Sequence, residues 1–142
     1  MAYNFLPVNR EQQYLMPPSL REWLPKGDLA WFLLDAVEQM DTKAFYEGYR
    51  ADGWGYPAFE PKMMATLLMY AYSVGERSSR RIERLCERDI AFRVVTANQK
   101  PDHTVIARFR QANEKALEGL FIEVLKLCRK AGLVKVGVVA LD

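Results

Sequence analysis

A single histidine, His103, and two cysteines, Cys86 and Cys128, are all the imidazole and thiol groups in 142 residues. A zinc finger or a cysteine–histidine hydrolase is hard to build from so few. Neither cysteine has a partner at C-x-x-C spacing. Each sits in an apolar helical stripe, which reads as a reduced core thiol. No G-x-x-x-x-G-K-[ST] loop occurs, so nucleotide hydrolysis of that kind has no support. No apolar run reaches the ~18–20 residues of a membrane span. The longest, Met63 to Val74, reads as a buried helix. The first residues, MAYNFLPVNREQQ, lack a basic region followed by an apolar stretch. No signal peptide is therefore read, and a cytoplasmic location is expected.

What remains is ample material for one packed domain: 50% of the residues are hydrophobic, 12% of all residues are aromatic, and the formal charge is only +2. Residues 1–27 carry Pro7, Pro17, Pro18 and Pro25 among aromatics, which predicts an extended N-terminal arm. Tyr3, Phe5, Leu6, Tyr14, Leu15, Leu20, Trp23 and Leu24 are available to anchor it on a core. Residues 28–132 read as a helical domain. Asp28 is a candidate cap for a helix over 29–40, and Asp41 or Thr42 for a shorter one reaching Tyr49. The Gly- and Pro-rich stretch 52–57 reads as a loop. Pro61 suits the first turn of a third helix and Gly75 its end. Because Met63 to Tyr72 is apolar all round, that helix belongs at the centre of a bundle.

The small net charge hides a segregation. Residues 76–110 hold nine Lys/Arg against five Asp/Glu, a local +4, while the remainder holds eleven against thirteen. Ser78 or Ser79 is positioned to cap a helix to Arg88, with Ile82, Leu85 and Cys86 inward and Arg77, Arg81, Arg84 and Arg88 on another face. Glu83 and Glu87 are spaced to pair with Arg80 and Arg84, for only ~0.2–0.5 kcal/mol each. A short helical segment follows over 89–97. Asp102 or Thr104 then caps a helix to about Gln111, burying Ile106 and Phe109 and presenting Arg108 and Arg110. A final helix runs from Asn113 to Ala131, stopped by Gly132. Residues 133–141 change period and read as a buried strand. A strand alone after a helical domain has no sheet to join, so the chain reads as cut short.

The order Gly75-x-Arg77-Ser78-Ser79-Arg80, Glu83, Asp89-x-x-Phe92-Arg93 and Pro101-Asp102-His103-Thr104-x-Ile106-x-Arg108-Phe109-Arg110 resembles the N-terminal domain of bacterial insertion-sequence transposases of the DDE type, the InsH-like group. Phe5-Leu6-Pro7, Pro18-Ser19-Leu20-Arg21 and Tyr49-Arg50-x-Asp52-Gly53 extend the resemblance upstream. Ala131-Gly132-Leu133 and Val138-Val139-Ala140-Leu141-Asp142 extend it downstream.

The resemblance implies a mostly α fold, a helical bundle with a helix-turn-helix-like DNA-binding part. It ends in one β-strand, 133–142, that would begin a ribonuclease-H-like domain. The implied partner is double-stranded DNA at the terminal inverted repeats, bound by a homo-oligomer with no membrane involvement. Arg77, Arg80, Arg81, Arg84, Arg88, Arg93, Lys100, His103, Arg108 and Arg110 are the candidate DNA-binding residues. Two helix pairs fit the helix-turn-helix arrangement: 61–74 with 79–88, or 80–95 with 104–111, the second being preferred. His103 is placed either to reach a phosphate or base or simply to occupy the first helical position, and Asp102 reads as a cap. Trp54, in its Gly-flanked loop, is a candidate for base stacking.

In the resemblance Asp142 matches the first of three catalytic acids that together hold two Mg²⁺ ions. One carboxylate does not suffice for two such ions. The chain alone is therefore expected to need no cofactor and to be no enzyme, with Mg²⁺ belonging to a full-length protein. The competing reading is a helical interaction or dimerisation module that would inhibit intact transposase. A decayed remnant without activity is a third.

Overall fold

The computed structural model describes residues 4–13, 15, 19–49 and 58–132. The strand expected over 133–141, Asp142 and the Trp54 loop lie outside the described residues. Those described form seven α-helices, α1 (Leu20–Trp23), α2 (Leu29–Glu38), α3 (Pro61–Ser73), α4 (Ser79–Arg88), α5 (Ile90–Val95), α6 (His103–Ala112) and α7 (Glu114–Lys130), with a 3-10 turn at Lys43–Tyr46.

Local chemistry sets most of the boundaries. An N-cap carboxylate satisfies one of the orphan N–H groups of a first turn. Asp28 accepts from the Ala30 N–H at 2.9 Å, Asp89 from Phe92 at 3.1 Å and Asp102 from Val105 at 2.8 Å. Ser78 accepts from Arg81 more weakly, at 3.4 Å. Pro61 opens α3, where its missing N–H costs nothing. The helix closes at Gly75, whose φ of 84° lets the Glu76 N–H reach back to the Ala71 carbonyl at 2.8 Å. The same closure ends α5, where the Asn98 N–H donates to the Arg93 carbonyl at 2.7 Å. Here, however, the left-handed position is held by Ala97 at φ 50°. A Cβ is disfavoured in that conformation by about 1–2 kcal/mol.

The axis of the bundle is α3. Leu67, Leu68, Ala65 and Ala71 are fully buried, and Met64 and Met69 nearly so. Helix α2 lies against α3, α5 and α7, while α4 lies against α5 and α6. Ring pairs lock distant segments together: Phe45 stacks on Phe109 at 5.9 Å, and Tyr70 meets Phe92 edge-on at 5.0 Å. Such pairs add ~0.5–1.5 kcal/mol beyond area burial. Both cysteines are free and buried within this core.

Two expectations change here. Among the described residues of the arm, Leu24 is buried, Trp23 is half-buried and α1 supplies one helical turn, while Tyr3 and Tyr14 lie outside the described residues. Leu6 and Leu15 are 91% and 104% exposed, and Phe5 and Val8 also face solvent. Proline and aromatic content marks an extended segment without specifying a docking surface for it. The other change concerns the second helix, which shortens to the 3-10 turn Lys43–Tyr46. Asp41 accepts from the Lys43 N–H at 3.0 Å and tightens the entry.

Candidate nucleic-acid interface

Helix α4 turns Ile82 and Cys86 into the core at 0% exposure. The intervening positions are thereby forced outward. Arg80, Arg84 and Arg88 recur every four residues, one helical turn, and form an exposed row. Arg77, just before the helix, and Arg81 are exposed as well. Among the described residues, the guanidinium groups of Arg77, Arg80, Arg84 and Arg88 make no ion pair. Arg81 alone has one, Nη1 lying 3.7 Å from Oε2 of Glu76. With the Arg81 side chain 68% exposed, that contact is worth little.

Glu83 and Glu87 do not neutralise this row as their spacing predicted. Glu83 is half-buried on the α6 side, where its Oε2 stands 3.2 Å from Nδ1 of His103. The carboxylate is committed across the seam between helices and makes no ion pair with Arg80 among the described residues. His103 thus belongs to the first turn of α6 and ties it to α4. Arg80, Glu83, Arg84, Glu87 and Arg88 line an open hollow of about 430 Å³. Its lining comes from one helix, so its opposite wall is solvent.

The remaining candidates fall into two groups. Lys100, in the loop before α6, and Arg108, on α6, are exposed. Arg93 and Arg110 are half-buried and engaged with aromatic rings. The Arg93 guanidinium sits 4.7 Å from the Trp23 ring centroid, and its Nε donates to Asn98 Oδ1 at 2.9 Å. Arg110 lies 5.6 Å over Tyr72, with Nε and Nη2 buried and lacking a hydrogen-bond partner among the described residues. The aromatic face compensates part of that desolvation. Trp31 is treated similarly by Arg21 at 4.9 Å, and its indole N–H donates to the Leu24 carbonyl at 3.4 Å. Sequence alone took Thr104 as an alternative cap and Gln111 as the helix end, not as candidate contacts; both are exposed on α6 beside Arg108. The signal was available in the spacing 104, 108, 111.

The buried thiol beneath the arginine row is inert as a nucleophile. Burial, and then the charges of Glu83 and Glu87, push Cys86 up to about 12, and burial raises Cys128. Among the described residues no three His, Cys, Asp or Glu side chains cluster to hold a metal ion. Nor, among the described residues, is any helix long and apolar enough to cross a membrane.

Comparison with known families places this architecture. Residues 18–112 match the family Transposase domain (DUF772), which takes in about two thirds of the chain and every element from α1 to the end of α6. The chain belongs to that transposase-domain family. Neither the curated proteins nor the solved structures gave a match.

Proposed function

We propose that this chain is the N-terminal DNA-binding domain of a transposase, recognising the terminal inverted repeats for DNA transposition. The observation that carries this is the exposed row Arg80, Arg84 and Arg88, flanked by Arg77 and lacking ion pairs among the described residues. Unpaired guanidinium groups on one face provide the charge that displaces counterions from a phosphate backbone. The adjoining helix α6 begins at an exposed polar turn and packs on α4, an arrangement like a helix-turn-helix in which one helix enters the major groove while its neighbour crosses the backbone. Arg77, Arg80, Arg81, Arg84 and Arg88 hold phosphate, and Lys100 and Arg108 approach the duplex from the α6 side. Strand cleavage is not an activity of this chain by itself. Mg²⁺-dependent nicking of repeat DNA by the pure protein would show otherwise.

The direct test is titration of duplex DNA at two salt concentrations, with terminal-repeat sequence against random sequence. Each phosphate contact contributes about −0.9 to the slope of log K against log salt. A slope of several units with preference for the repeat supports the proposal; salt-independent or absent binding rejects it.

A second reading is favoured by the apolar side chains left in solvent near the N-terminus, Leu6, Val8 and Leu15. In that reading the chain associates with itself or with intact transposase, which it would inhibit. Hydrophobic association keeps its strength as salt rises, so the same titration, followed by mass in solution, separates the two.

A further inference from the structure

Helices α4 and α6 offer different chemistry to solvent. The outward positions of α4 carry guanidinium groups and the Glu87 carboxylate. Those of α6 carry a hydroxyl, a guanidinium and a carboxamide: Thr104, Arg108 and Gln111 are exposed at spacings of four and three residues, and so share one face. None of the three side chains makes a hydrogen bond or ion pair among the described residues. Behind them Ile106 and Phe109 anchor the helix in the core, and the His103–Glu83 contact fixes its first turn against α4. The stripe is therefore held on a rigid support with its polar ends free.

Resting on the DNA-binding reading above, we infer that Thr104, Arg108 and Gln111 are the specificity-determining residues, which read base edges while α4 holds phosphate. The chemistry of the three fits this division. A guanidinium fork matches O6 and N7 of guanine, a glutamine carboxamide matches N6 and N7 of adenine, and threonine meets either a polar base edge or the thymine methyl group. From Thr104 to Gln111 the helix rises about 10 Å. That length matches about three base steps at 3.4 Å each. Arg110 does not belong to the set. Two residues beyond Arg108, it points about 200° around the helix, where Tyr72 takes its guanidinium.

Selection from a pool of duplexes with a randomised central tract tests this, using the wild-type chain and the variants Arg108→Ala, Gln111→Ala and Arg84→Ala. Circular dichroism confirms that each variant is folded. The wild type is expected to enrich a motif containing a guanine and an adenine within about three base pairs. Arg108→Ala flattens the guanine preference by roughly tenfold, along with a loss of affinity for the unselected pool from the missing charge, and Gln111→Ala flattens the adenine preference. Arg84→Ala weakens binding to both pools and leaves the motif unchanged. If the α6 variants enrich the wild-type motif, this inference fails and the DNA-binding reading stands; if the wild type binds duplexes without enriching a motif, this inference and repeat recognition both fail and phosphate binding alone remains. Failure to bind any duplex removes both.

Discussion

Helices α3 and α4 are consecutive, similar in length and opposite in chemistry. Helix α3 buries apolar side chains around nearly its whole circumference, whereas α4 commits only Ile82 and Cys86 fully to the core and gives its outer face to arginine. Stability and charge are thus carried by separate neighbours. A surface row of like charges costs self-repulsion, which the protein tolerates because the central helix does not depend on that row. Substitutions are accordingly expected to sort by helix: those in α3 unfold the chain, and those on the outer face of α4 leave it folded and weaken its binding to duplex DNA.

The largest expected effect is at the buried end of this contrast. Leu67→Ala removes a fully buried side chain and should lower unfolding free energy by about 2–5 kcal/mol in denaturant titration. A loss below 1 kcal/mol would mean that α3 is not the structural axis. The opposite test replaces Arg80, Arg84 and Arg88 together by alanine. Each change should shift stability by less than about 0.5 kcal/mol. The slope of log K against log salt for duplex DNA should flatten by about one unit per arginine. Unchanged binding with unchanged folding would break the division of labour.

A pH titration probes the joint between the helices. Tyr70 on α3 is pushed up to about 12 by burial and then by Asp28 and Asp89, and Cys86 on α4 also reaches about 12. Below about pH 7.5 both groups are protonated in folded and unfolded chains, so stability does not depend on them, and from there to about pH 9 the unfolded thiol alone begins to ionise. Between pH 9 and pH 12 the unfolded chain ionises first and stability falls. Urea midpoints at pH 8 and 10.5 should show that decline, smaller in Cys86→Ala. The smallest effect is a gain. Ala97→Gly relieves a left-handed alanine and should raise stability by about 0.4–1 kcal/mol; a loss would mean that the strain is compensated by contacts of the methyl group.

Helix positions were largely legible in the sequence because caps and stops are local. Asp28, Asp102, Pro61 and Gly75 each act within a few residues of themselves. The partners of the charged side chains were not legible, because they are set by which helices touch. Glu83 has an arginine three residues before it and one directly after it, yet it reaches His103, 20 positions away. Arg93 and Arg108 look equally available in the sequence, but only the packing of α1 against α5 brings Trp23 beneath Arg93. The split between Arg108 and Arg110 was half legible: spacing alone puts them on different faces, and only the fold assigns Tyr72 to one of them. Within the arm, apolar content likewise did not reveal which side chains are covered: Leu24 is buried, whereas Leu6 and Leu15 are exposed.

One joint has a mechanical consequence. Helices α6 and α7 are separated by Asn113 alone. Its N–H and side-chain amide both donate to the Phe109 carbonyl, at 3.1 and 2.9 Å, while its own carbonyl accepts from the Leu117 N–H at 2.8 Å. With bonds on both sides the connection behaves as an elbow set at one angle. Seventeen residues of α7 make a boom about 26 Å long. A tilt of α6 by 10° would therefore swing the far end, at Lys130, through about 4–5 Å.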